Sequence, residues 1–233
     1  MSETPHSEQP EETKQEYNFE VMKEVEPAMI SLIEQLKDGI ESGEYSALIG
    51  DDVKGRIPTL VLQKVFQEKG LNQDNSEERV KIYFLAGGRD VITRPKNLEK
   101  IKDYFKKLDF GSKGILLVTE FIEFGDTIKF FSKALQGIGI ERKRLACASL
   151  DTSLFKDMEK DIGIKCFFGR TEGEPAHSTE LKEMSGVKKN EPSFLSKTHK
   201  NFKEVEKARE DVDLMADRII EQVWGKNNFE NKF

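Results

Sequence analysis

Apolar residues along this 233-residue chain fall into two alternating patterns. Short continuous runs occur at residues 45–50 (YSALIG), 80–86 (VKIYFLA), 115–118 (ILLV), 145–150 (LACASL) and 165–168 (KCFF). Runs of this length, bounded by Gly or charged residues, read as strands buried on both faces. Between them lie segments with helical character: 57–69, with Pro58 in its first turn, then 96–107, 126–136 and 152–160. Strands alternating with helices of this size predict an α/β fold with right-handed crossovers. The expected architecture is a doubly wound, five-stranded, mainly parallel sheet with helices on both faces.

Two longer amphipathic segments flank that core. Val21, Val25, Met29, Ile33, Leu36 and Ile40 recur at helical spacing within 19–42, where Pro27 marks a kink or the true helix start. This helix is suited to packing on a sheet edge or on a partner. Phe202, Val205, Val212, Met215, Ile219 and Val223 do the same within 199–224. The expected organisation is a disordered acidic tail at 1–18, an N-terminal helix at 19–44 and a core at 45–170. A flap or hood-like segment follows at 171–198, then a C-terminal helix at 199–224.

Composition narrows the function classes. Apolar residues make up 36% and charged residues 34%, as suits a soluble protein with a modest core. The net charge of −6 argues against a general nucleic-acid binder, which needs clustered cations. The basic runs Arg142-Lys143-Arg144 and Lys188-Lys189 read as solvated surface. Cys147 and Cys166 sit in apolar runs and read as small buried hydrophobes, not as a disulfide or a metal site. His6, His177 and His199 have no metal-ligand spacing. No apolar run approaches the ~20 residues of a membrane span. The acidic N-terminal stretch is the opposite of a signal peptide, so a cytoplasmic location is expected.

The third apolar run carries the candidate chemistry. It leads into Thr119, Glu120, Phe121, Ile122, Glu123, Phe124, Gly125, Asp126 and Thr127. A buried strand ending in a Gly-x-Thr turn, with a helix behind it, offers backbone N–H groups to an anion. Residues 50–58 form a second candidate loop after the first strand. In it Lys54 and Arg56 are cations suited to an anionic ligand, Gly55 lets the backbone approach, and Asp51 and Asp52 are candidates for a water-bound Mg²⁺. A third is Gly87-Gly88-Arg89-Asp90, read either as a surface turn or as a loop whose Arg89 reaches a phosphate.

Over residues 45–170 the order of these motifs resembles the type I phosphoribosyltransferases. The resemblance implies a glycosyltransferase of nucleotide metabolism. Such an enzyme moves a phosphoribosyl group from phosphoribosyl pyrophosphate, with Mg²⁺, to a base or related nucleophile. It implies that Glu120 accepts the ribose hydroxyls and that Glu123 lies near the base or the reacting carbon. Gly125, Asp126 and Thr127 fall at the 5′-phosphate loop, and the resemblance implies that the anion at Lys54, Gly55 and Arg56 is pyrophosphate. The chain departs from the family where Thr119 replaces the first acid of a pair and Phe124 replaces a hydroxyl residue. Phe124 then faces a ligand base or blocks the pocket. Asp126, if it faced a bound phosphate at ~4 Å, would be opposed by roughly 4 kcal/mol at intermediate dielectric. It reads more readily as a helix cap. The alternative implied by these departures is a relative that has lost catalysis, acting as a nucleotide-binding regulatory module or a protein-interaction module. Phosphoribosyl pyrophosphate or a nucleotide is the expected partner, and a homodimer is compatible with either reading.

Overall fold

In the computed structural model, the described residues are 15–51, 53, 55–70, 79–85, 94–152, 158–170, 181, 184–189, 196–198 and 202–225. Five strands form one sheet: β1 (Tyr45–Asp51), β2 (Lys81–Leu85), β3 (Gly114–Ile122), β4 (Leu145–Thr152) and β5 (Lys165–Arg170). Their order is β2-β1-β3-β4-β5, and every pairing is parallel. The fold is therefore the doubly wound α/β architecture expected from the alternation of patterns.

Each face of the sheet has its own apolar core. On one side α1 (Val21–Glu41), α2 (Arg56–Lys69) and α6 (Phe202–Trp224) cover Leu48, Leu116, Val118, Ala148 and Leu150. On the other, α3 (Pro95–Phe105), α4 (Asp126–Gln136) and the short α5 (Met158–Ile162) cover Ala47, Ile49, Ile115, Leu117 and Cys147. Burial on both faces is why the strands read as unbroken apolar runs. The apolar stripes of α1 and α6 lie in the first core. α1 packs on β4 and β5, and α6 packs on α1 and α2.

Several boundaries differ from the sequence expectation. β3 continues through Thr119 and Glu120 to Ile122, because Thr119 pairs with Ser149, Phe121 with Asp151 and Ile122 with Thr152. The ladder carries polar side chains at its end, where side-chain polarity alone suggests a loop. The helix α1 begins at Val21 and continues past Pro27, which is therefore not its start. The segment between β5 and α6 contains a small antiparallel pair, β6 (Val187–Lys189) with β7 (Ser196–Thr198). The helix after β4 is described only at Met158–Ile162, and residues 86–93 with the Gly87–Asp90 turn lie outside the described residues.

Cys147 and Cys166 are buried thiols opposite each other on β4 and β5. A hydrogen bond with Cys166, together with burial, pushes the Cys147 thiol well above its usual range. The Arg142–Arg144 run is a 3₁₀ turn whose Arg144 donates to the carbonyls of Gly111 and Lys113. Among the described residues, no helix is long and apolar enough to cross a membrane.

Candidate functional site

Strand order fixes where a ligand crevice can open. From β1 the chain steps to β2 on one side, then returns to place β3 on the other. The connections on either side of this reversal diverge to opposite faces of the sheet. They leave a cleft outside the carboxyl ends of β1 and β3. Gly50 of β1 pairs with Val118 of β3, so the two candidate loops leave neighbouring strands.

Both loops end in a glycine that opens a helix. Gly55 precedes α2 and Gly125 precedes α4, and at neither start does a side chain cap the helix. Gly125 has φ +72°, a left-handed conformation that strains any residue with a Cβ. At Gly55 the constraint is space. An added Cβ would lie 2.5 Å from the Val118 carbonyl oxygen and 2.8 Å from the Asp51 nitrogen. The Gly55 carbonyl accepts from Thr59 N–H at 3.0 Å and from Thr59 Oγ1 at 2.6 Å, which fixes the first turn of α2. Two helix N-termini thus flank the cleft, each carrying the partial positive charge of its aligned peptide dipoles.

Asp126 is the first helical residue of α4 and is exposed. The helix cap is Gly125, with no side-chain bond, so the capping role expected for Asp126 is not realised. An N1 side chain cannot reach back as an N-cap does. Thr127 is half-buried in the same turn, and Lys129 Nζ donates to the Phe124 carbonyl at 3.2 Å. Glu123 is exposed beyond the tip of β3, and Phe124, 52% accessible, is the large hydrophobic left exposed among the described residues. Arg56 lies with its guanidinium 4.0 Å from the centre of the Phe84 ring, which turns it toward β2.

The pair before them is enclosed. Thr119 is 4% accessible and Glu120 0%. Glu120 follows the alternation of Leu116 and Val118, so it belongs to the face under α1 and α2. Its carboxyl is not presented to solvent at the strand tip. Asp51 ends β1, also buried. Asp52, Lys54 and Arg89 lie outside the described residues.

Sequence reasoning passed over a third part of this region. Ser149, Asp151 and Thr152 are buried at the end of β4, and Arg170 ends β5. Together with Asp51, Thr119 and Glu120 they gather buried polar side chains at the carboxyl end of the sheet. Their trace in the sequence is a polar residue inside or just beyond an apolar run, which no motif marks. Among the described residues, no group of three or more His, Cys, Asp or Glu side chains gathers closely enough to hold a metal ion.

No protein-family model matches this chain, and no curated protein matches it. Among solved structures it is similar to a hypothetical protein from Neisseria gonorrhoeae with bound ppGpp. The identity is 16%, over 69% of this chain and 89% of that one, with a TM-score of 0.41. That likeness is too slight to carry an argument.

Proposed function

We propose that this chain is a phosphoribosyltransferase-like protein that holds a phosphorylated ribose at the β1–β3 reversal. One observation carries the reading: two glycine-started helices without side-chain caps, α2 and α4, open from neighbouring strand tips. The Gly125–Thr127 turn takes the 5′-phosphate on backbone N–H groups. The Gly55–Arg56 loop takes the pyrophosphate of phosphoribosyl pyrophosphate. In the transfer itself the bond from ribose C1′ to pyrophosphate oxygen breaks. A base nitrogen forms the new bond to C1′, and pyrophosphate leaves with the electron pair. Glu123, as the exposed acid at the tip of β3, lies beside the ribose where positive charge grows. Mg²⁺, when bound, neutralises the pyrophosphate. The described donor set does not form a closed cage for it, so the ion would arrive with the ligand's own phosphate oxygens.

A second reading keeps the binding and drops the transfer, leaving a nucleotide-binding regulatory module. The enclosure of Thr119 and Glu120 favours it, because the pair that would accept the ribose diol is not at the surface.

Calorimetry with phosphoribosyl pyrophosphate and Mg²⁺, paired with an assay for released pyrophosphate over a panel of bases, separates the two. Heat with base-dependent pyrophosphate release supports the transferase, and Glu123→Gln then lowers turnover on the order of a hundredfold with little change in Kd. Heat without release supports the regulatory module. No heat at millimolar ligand removes both.

A further inference from the structure

An ion pair at the polar end of the sheet has no part in the sugar-phosphate loops. Asp151 of β4 and Arg170 of β5 stand opposite each other in register. Arg170 Nε donates to Asp151 Oδ1 at 2.6 Å, and Nη2 donates to Oδ2 at 3.0 Å. The Asp151 side chain is 7% accessible and that of Arg170 34%. Ser149 Oγ donates to the Asp151 carbonyl at 2.8 Å, which fixes the backbone at this point.

Stability does not explain such a pair. Desolvating a carboxylate offsets most of what its partner returns, and apolar residues of similar volume do as well or better. What the pair does achieve is orientation. A guanidinium has five N–H donors in one plane. Asp151 occupies one edge of that fork, and the Nη1 donors make no hydrogen bond among the described residues. The remaining edge is held in a fixed plane and is shaped for two adjacent acceptor atoms.

The register places this edge relative to the phosphate loop. Phe121, Asp151 and Arg170 form one row across β3, β4 and β5. Asp151 and Arg170 continue the alternation of Cys147 and of Cys166 and Phe168, so they belong to the face covered by α4. With strands ~4.8 Å apart, the backbone of Arg170 lies about 10 Å from that of Phe121. Phe121 lies four residues before Gly125, so the row crosses the sheet beside the strand tip from which the phosphate loop leaves.

We propose that Arg170, oriented by Asp151, is a specificity-determining residue that reads a coplanar pair of acceptors on the base of the ligand. Two ligand types carry that chemistry: an oxopurine through O6 and N7, and a carboxylated pyrimidine through its carboxylate. The inference rests on the reading that the β1–β3 cleft holds the sugar phosphate.

The test is calorimetry on the full chain with ribose 5-phosphate, adenosine 5′-monophosphate, guanosine 5′-monophosphate and orotidine 5′-monophosphate. The expected result is that the guanosine or the orotidine nucleotide binds about tenfold or more tighter than the other two probes. Whichever does so identifies the source of the acceptor pair. Arg170→Gln should bring that nucleotide to within about twofold of ribose 5-phosphate while leaving ribose 5-phosphate itself unchanged. Arg170→Lys, which keeps the charge without the fork, should restore only part of the discrimination. Asp151→Asn should weaken it too. The readout is a ratio between ligands, which a general loss of folded protein does not move. An unchanged ratio in Arg170→Gln, or equal losses for every probe, overturns the inference and leaves the sugar-phosphate reading standing. Failure of wild-type protein to bind any of the four overturns both.

Discussion

Gly55 has no room for a side chain, and the atoms in its way are backbone. Neither the Val118 carbonyl nor the Asp51 amide can step aside without disturbing β3 or β1. Gly55→Ala should therefore lower the unfolding free energy by about 1–3 kcal/mol, read as a shifted urea midpoint with unchanged slope. Gly125 fails for a different reason. Its φ of +72° lies in the left-handed region, so Gly125→Ala should lose about 1–2 kcal/mol, whereas Gly125→Asn should lose less. If Asn proves as damaging as Ala, crowding and not backbone strain governs the site. These two glycines were legible in the sequence, because a turn between a strand and a helix announces its need for them. Ser149, Asp151 and Arg170 were not. Ser149 lies inside an apolar run and Asp151 and Arg170 lie just beyond one, and only the register of β3, β4 and β5 shows that they share one end of the sheet.

At the scale of elements, the joint between the start of α1 and α6 depends on one carboxylate. Asp211, buried in α6, accepts from Asn18 N–H at 2.8 Å, Phe19 N–H at 2.9 Å and Asn18 Nδ2 at 2.9 Å. Asp211→Ala should lower stability by about 2–4 kcal/mol and speed hydrogen exchange at the Asn18 and Phe19 amides. Asp211→Asn keeps one acceptor and should recover part of that loss. This joint could not be read from the chain, since nothing in local spacing links residue 18 to residue 211. The helices themselves could be. Pro27 misled only as to where the first helix starts. A proline inside a helix costs about 3 kcal/mol, but Val25, Ala28, Met29, Leu32 and Ile33 are all buried around it, and burying each large apolar side chain contributes about 1.5–3 kcal/mol. Packing wins, and the helix continues. The end of β3 misled in the opposite sense: polar side chains concealed a backbone still paired with β4.

At the scale of the whole molecule, the net charge of −6 is felt where α2 meets α6. Partial burial, with Asp217 and Asp213 nearby, holds the Glu68 carboxyl above its ordinary range, against the lowering influence of Lys69 and Lys64. A carboxyl whose folded-state value is raised binds its proton more tightly in the folded state. Its contribution is therefore fully present below the unfolded value of ~4.3 and is lost as pH climbs through the raised folded value. Glu68→Gln should melt higher than wild type at pH 7, and the two should converge near pH 4. A constant difference across that range would mean that charge at this position is not the cause.

The order in which the chain leaves the ribosome gives the placement of α6 a further meaning. The last long helix supplies Ala208, Val212, Met215, Ala216, Ile219 and Ile220 to the core beneath one face of the sheet. Until it emerges, Leu48, Leu116 and Val118 on that face have only α1 and α2 above them. A nascent chain arrested before residue 202 should accordingly be held by chaperones or clump, and release of the final helix should be the step that lets it go.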